Sequence, residues 1–347
     1  MRAVVVTEPG RVAIVELGRP TVGPYQALVR TEVACLCNST DGKLIAGHFP
    51  GVDQYPLVLG HECAGIVEAV GGKVRNFQVG QRAIGGLVFD FSDPVYSSGW
   101  GGFCEYTLAN DHDAMVADGL ASAEHGWFEC YEIQRPVPMD IPVEAALLMC
   151  TWREVYGGFG DFQLKAGADI LVFGAGPVGL SFVKLAKLLG LGYIGVVDPL
   201  ESKRRRALEM GADEAFEPGS PALNGLKERR GKPLDAVIDA VGRESVANAA
   251  LSLIGMGGAI CIYGVLAEPS ITIHKHNGPY NFNLFVHQWP TRPRERAAME
   301  PLCGWVRQGK LRAADFITRE FPVERVAEAI EAVRGGEALK VLLRFSK

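Results

Sequence analysis

This 347-residue chain lacks a basic surplus. Lysine and arginine total 35 against 40 aspartates and glutamates, for a formal net charge of −5. No basic face is left for nucleic acid and no polybasic stretch suits an anionic membrane, so both are excluded as partners. A membrane-length apolar run is also missing. One charge-free window, Ser245 to Ala267, contains Asn248 and is broken by Gly255-Met256-Gly257-Gly258, so it reads as helix, turn and strand. The opening Met-Arg-Ala-Val-Val-Val soon reaches Glu8 and Arg11, which does not fit a signal peptide. There is no internal repeat and no low-complexity segment. The eight cysteines, at 35, 37, 63, 104, 130, 150, 261 and 303, form no secretory framework. Reduced thiols and a cytoplasmic home are the expectation.

What is there is ordinary globular material, with 48% hydrophobic and 22% charged residues over a length that suits two domains. The first part reads as short β-rich pieces, Arg2–Val6, Val12–Glu16, Ala27–Ala34 and Ala64–Val70, punctuated by Gly and Pro. Near residue 145 the texture changes to strands alternating with helices. The strands are 169–173, 193–197, 236–239 and 259–263, and the helices are 177–189, 203–210 and 246–253. That alternation predicts an α/β fold with a parallel sheet covered by helices on both faces. A mixed tail follows, with a helix at 323–334 and a strand at 340–345. The predicted layout is a β-rich domain over 1–150 and 291–347, with a doubly wound domain over 151–290 between.

Asp169-Ile-Leu-Val-Phe-Gly174-Ala-Gly176-Pro177-Val178-Gly179 places a glycine fingerprint after a strand and at the head of a helix. Gly174 permits the tight turn, Gly176 lets backbone approach a pyrophosphate, and Gly179 allows close helix–strand packing. Asp198 ends the next strand, 19 residues beyond Gly179, where an acid can accept from a ribose 2′-hydroxyl. A Rossmann cofactor site over Gly174, Gly176, Pro177, Val178, Gly179, Asp198 and Lys203 is therefore expected. Asp198 would repel a 2′-phosphate, which favours NAD over NADP. The run Lys203-Arg204-Arg205-Arg206 tempers this, because an arginine there could reach a phosphate, although a solvated helix face is the plainer reading.

Several further stretches carry a family likeness. Val33-Ala-Cys-Leu-Cys37-Asn-Ser39-Thr40-Asp41, Leu59-Gly60-His61-Glu62-Cys63-Ala-Gly65, Gly101-Gly102-Phe103-Cys104-Glu105-Tyr106 and Ala145-Ala-Leu-Leu-Met-Cys150 closely resemble signatures of the zinc-dependent medium-chain dehydrogenase/reductase family. With the glycine fingerprint and Asp239, the resemblance covers nearly the whole chain. It implies a GroES-like catalytic domain beside the Rossmann domain, and one catalytic zinc on Cys37, His61 and Cys150, with one coordination position open to substrate. It further implies that Glu62 lies beside the metal and that Asp41 fixes the tautomer of His61. A hydroxyl relays the proton, and this chain offers both Ser39 and Thr40 before Asp41. Leu87 to Gly102 contains no cysteine, so the structural zinc lobe of many members is absent.

The activity implied is NAD-linked interconversion of a secondary alcohol, polyol or sugar-like substrate with its ketone or aldehyde, in a homodimer or homotetramer. Two rivals remain: a zinc-free NADPH-dependent double-bond or quinone reductase of the same superfamily, and a non-catalytic nucleotide-binding relative. Lys340 is placed by the resemblance near cofactor phosphates. The segment Gly119–Pro136 exceeds the family pattern, and its polar–aromatic mixture suggests a lid over the substrate or a subunit contact.

Overall fold

A computed structural model describes residues 1–266, 268–336 and 338–345, so Ala267, at the end of the charge-free window, lies outside the described residues. The chain divides into two compact units, Met1–Cys150 with Pro301–Lys347, and Thr151–Glu300.

The first unit is built on two sheets. The larger runs Ile317–Pro322, Lys340–Arg344, Gln26–Leu36, Cys63–Val70, Arg82–Ile84, Arg135–Val137, with Tyr106–Asn110 also paired to Gln26–Leu36. The smaller comprises Arg11–Glu16, Arg2–Glu8, Leu57–Val58 and Ser97–Ser98. Period-two alternation explains the buried opening strand. Ala3 and Val5 enter one cluster with Leu17 and Val58, whereas Val4 and Val6 enter the main core with Leu36, Leu57, Phe103 and Leu343. The helix Val326–Arg334 closes that core with Val326, Ala329, Ile330 and Val333, an i, i+3, i+4, i+7 stripe.

The second unit is a six-stranded parallel sheet in the order Glu214–Phe216, Ile194–Val197, Ile170–Phe173, Leu234–Asp239, Ile254–Ile262, Asn283–Val286. Counted in sequence the order is 3-2-1-4-5-6, so the winding reverses between Ile170–Phe173 and Leu234–Asp239. In such a sheet the carboxyl ends of these two strands are where a ligand binds.

Two expectations need correction. The second unit extends to Glu300 instead of ending at 290, because the start of the helix Arg292–Ala297 is tied back to the helix Val143–Asp161. Thr291 donates from N and Oγ1 to Asp161 at 2.8 and 2.7 Å, and buried Arg153 lies 3.8 Å from Glu295. Gly255-Met256-Gly257-Gly258 does not separate helix from strand. It lies inside the strand Ile254–Ile262, where Gly257 at φ +78° accompanies a break in register.

Candidate functional site

In the first unit the long strand Gln26–Leu36 delivers Cys37 at its end, and the helix Thr40–Ala46 begins three residues later. Asp41 closes this corner, accepting the Cys37 N–H at 2.8 Å while its own N–H donates to the Cys37 carbonyl at 3.0 Å. His61 and Glu62 arrive just before the strand Cys63–Val70. Gly60 turns the chain into them at φ +104°, where a Cβ would lie 2.1 Å from the Phe103 ring. The donor atoms of Cys37, His61 and Glu62 all lie within 4.8 Å of one another.

Thiolate, imidazole and carboxylate are the donor types zinc takes. Nδ1 of His61 lies 3.6 Å from Oδ1 of Asp41, and both atoms are buried with no hydrogen-bond partner. This geometry aims Nδ1 at Asp41 and leaves Nε2, 3.9 Å from Glu62, for a metal. Burial alone would lower the imidazole pKa, but Asp41 and Cys37 outweigh it and hold His61 well above its ordinary value. On these observations the residues fit a zinc ion.

Cys150 lies on the helix Val143–Asp161, with its sulfur 4.0 Å from the carbonyl of Cys63. It therefore reaches the stretch carrying His61 and Glu62, although it is not a member of the three-donor group. Ser39 is exposed and leaves the helix uncapped, and Thr40 is half-buried. Geometry does not choose between their hydroxyls.

Lys340 is placed differently from expectation, and Arg204 follows neither of its two readings fully. Lys340 is buried at 3% exposure with Nζ 2.6 Å from both oxygens of Glu62, so it serves the donor cluster and not a phosphate. Burial would lower its pKa, but Glu62 and then Cys35 more than offset this and raise it. Arg204 spends Nη1 on the carbonyls of Asp198 and Pro199, each at 2.8 Å. The segment 119–136 forms two short 3₁₀ turns, Ala123–His125 and Glu129–Ile133, and then a strand on Arg82–Ile84. Buried Gln134 fastens it, accepting the Asn110 N–H at 2.6 Å and donating to the Gly85 carbonyl at 2.8 Å. The segment also meets the helix His112–Ala117, where Trp127 Nε1 donates to His112 Nδ1 at 3.1 Å and Arg135 pairs with Asp113 at 2.7 Å, and Phe128 packs on Phe89.

Sequence reasoning missed Trp100, whose ring centroid lies 5.8 Å from that of His61. The available signal was a bulky residue inside Gly99-Trp100-Gly101-Gly102.

In the second unit the fingerprint sits at the switch point. Gly174 has φ +93°, and a Cβ on Gly179 would fall 1.7 Å from the Gly174 carbonyl oxygen, so the turn and the helix Pro177–Leu188 touch directly. A Cβ on Gly176 would meet nothing within 4 Å, which leaves open space beside the helix head. Pro177 has no N–H, so the amides of Val178 and Gly179 are the first ones there. Asp198, buried at 6%, accepts from the Ala175 N–H at 2.8 Å and the Leu200 N–H at 2.9 Å, joining the glycine turn to the next helix. Lys203 is half-buried on that helix, Glu201–Met210. Asp239 is fully buried and accepts the N–H groups of Val241, Gly242 and Arg243 at 2.8 to 3.0 Å. This open cradle fits a dinucleotide.

Residues 23–118 match the family described as alcohol dehydrogenase GroES-like domain, and residues 177–286 match the family described as zinc-binding dehydrogenase. The starvation-sensing protein RspB of Escherichia coli K12 is 27% identical over the full length of both chains. The D-altritol 5-dehydrogenase of Agrobacterium fabrum C58 is 30% identical over 77% of each chain. Among solved structures, alcohol dehydrogenase TADH from Thermus sp. ATN1 superposes with a TM-score of 0.80 at 25% identity, covering both chains completely. Among the described residues, no helix is long and apolar enough to cross a membrane.

Proposed function

The chain belongs to the zinc-type medium-chain dehydrogenase/reductase family and is an alcohol or polyol oxidoreductase, and from that premise we propose that it uses one zinc ion and NAD to interconvert a secondary alcohol, polyol or sugar-like substrate with its carbonyl form. The observation that carries the reading is the convergence of Cys37, His61 and Glu62 within 4.8 Å, with Asp41 aimed at His61 Nδ1.

Zinc bound there supplies Lewis acidity at a substrate oxygen, and NAD supplies the hydride acceptor. The chain's own residues do the rest. Cys37, His61 and Cys150 are the proposed ligands. Glu62 is the nearer third donor, but both its oxygens are engaged by Lys340, which favours Cys150. Asp41 takes the Nδ1 proton of His61 in a hydrogen bond, keeping Nε2 unprotonated toward the metal. The hydroxyl of Ser39 or Thr40 passes the substrate proton toward solvent. Bound NAD would be held by the Val178 and Gly179 amides at its pyrophosphate, with Lys203 toward the adenosine ribose and Asp198 accepting from the 2′-hydroxyl. Each carboxylate oxygen of Asp198 keeps one acceptor site beyond its backbone bond.

Metal analysis of variants tests the assignment. Wild type and Glu62→Gln should retain one zinc per chain, while Cys37→Ser and Cys150→Ser should lose most of it. Two zinc ions in the wild type, or full zinc in Cys150→Ser with loss in Glu62→Gln, would overturn the count or the ligand set.

None of the eight cysteines is in a disulfide among the described residues, which supports a reducing, cytoplasmic setting. The edge strand Asn283–Val286 leaves Leu284 and Val286 41% and 49% exposed, which supports association with a second copy. Light scattering giving a monomer would exclude the homo-oligomer.

A further inference from the structure

The segment Gly99–Gly102 is clamped on both sides. The Gly99 N–H donates to the Val58 carbonyl at 2.7 Å, and the Gly102 N–H to the Gly60 carbonyl at 2.6 Å. The Val88 N–H donates to the Trp100 carbonyl at 3.0 Å. Side chains are excluded at the flanks. A Cβ on Gly101 would lie 2.4 Å from the Val88 carbonyl oxygen, and one on Gly102 2.7 Å from that of Gly60. Within this clamp Trp100 takes φ +71° and Gly101 φ +65°, two successive left-handed residues. Glycine at both positions would be free of strain, whereas a bulky side chain in this region is rare and costs stability.

What the strained position gains is the location of the indole. Its ring is tilted 60° to His61 with centroids 5.8 Å apart, and it meets Phe49 edge-to-face at 5.4 Å. Trp100, Phe49 and His61 are all half-buried beside the donor cluster. Trp100 and Phe49 both pack against the main core of the first unit, yet Trp100 is left half-covered and strained, which filling a core alone does not require.

We infer that Trp100 is a specificity-determining residue, whose indole forms an apolar wall of the substrate position beside His61. The wall favours alcohols presenting a ring or an extended C–H face next to the reacting carbon over two-carbon alcohols. The inference rests on the alcohol oxidoreductase reading above.

Trp100→Gly and Trp100→Phe test it, because glycine suits the φ angle and should fold. The zinc-replete proteins are compared on ethanol, 2-butanol, cyclohexanol and sorbitol. The ratio of kcat/KM for the best of the larger alcohols to that for ethanol should fall about tenfold or more in Trp100→Gly. It should be largely kept in Trp100→Phe. Zinc content should match wild type in both, and the Trp100→Gly melting temperature should not fall. An unchanged ratio would overturn the inference, as would a uniform loss on all substrates accompanied by loss of zinc, which would make Trp100 a support for His61. A second readout avoids turnover by leaving NAD out. Cyclohexanol added to the zinc-loaded, NAD-free wild type should quench a tryptophan emission component that Trp100→Phe lacks, and equal quenching of both would refute the wall. If no alcohol is oxidised by wild type, the proposed reaction fails, and the fluorescence comparison still decides the wall.

Discussion

Replacing Lys340 by Met should destabilise the first unit strongly. The Lys340 ammonium and the Glu62 carboxylate are 3% and 5% exposed and meet at 2.6 Å through both oxygens. Removing one member of such a buried pair takes from the other the partner that meets it at 2.6 Å, at a cost of about 3–5 kcal/mol. Glu62→Gln should cost a similar amount by stranding the ammonium. The double variant Lys340→Met/Glu62→Gln removes both charges and should lose less than the sum of the singles, with a coupling of about 1–3 kcal/mol. Urea unfolding of the metal-free proteins, followed by circular dichroism, measures the cycle without a metal ion competing for Glu62. The pH dependence has a definite sign. The folded pKa of Lys340 is raised, because Glu62 and Cys35 outweigh burial. Its contribution is therefore complete below the unfolded lysine value near ~10.4 and is lost only as pH rises through the folded value. The difference between wild type and Lys340→Met should thus be flat from roughly pH 6 to 9. A single variant within about 0.5 kcal/mol of wild type, or a strictly additive cycle, would refute the reasoning.

Gly179→Ala should abolish NAD binding, measured by calorimetry, and lower the melting temperature, because the new Cβ would lie 1.7 Å from the Gly174 oxygen. Asp198→Gly should narrow the preference of kcat/KM for NAD over NADP. The gain with NADP itself should be small, because Arg204 is already bound to two carbonyls. Removing the relay hydroxyl, by Ser39→Ala or Thr40→Ala, should cut kcat by about 10²–10⁴ with zinc retained; small equal losses in both would mean that water serves instead.

Much of the fold was readable because the signals were long or sterically strict. The apolar runs at 170–173, 194–197 and 236–239 are fully buried strands, and their alternation with helices left few topologies to consider. The glycine fingerprint was readable because two of its positions exclude a Cβ. Strands of two or three residues, such as Leu57–Val58, Arg82–Ile84 and Arg135–Val137, are too short to show any period. They exist because longer neighbours offer free edges. Gly255–Gly258 looked like a turn because a glycine-bearing bulge and a turn have the same composition. In the donor cluster, the grouping of Cys37, Asp41, His61 and Glu62 was expected from the resemblance. The role of Lys340 was not, because its partner lies 278 residues away. Trp100 escaped because conformation, and not residue type, marks it out. The segment 119–136 was read by surplus length and composition, neither of which could foresee that Gln134 would pin it to the sheet edge.

The central claim is zinc- and NAD-dependent oxidation of an alcohol, and its most direct test is NADH formation by one protein preparation before chelation, after chelation and after zinc is restored. With a panel of secondary alcohols, polyols and sugars, the account predicts turnover of at least one substrate, its loss on zinc removal and its return with zinc. Turnover that survives complete zinc removal, or zinc-loaded protein that binds NAD and oxidises nothing on the panel, would contradict it.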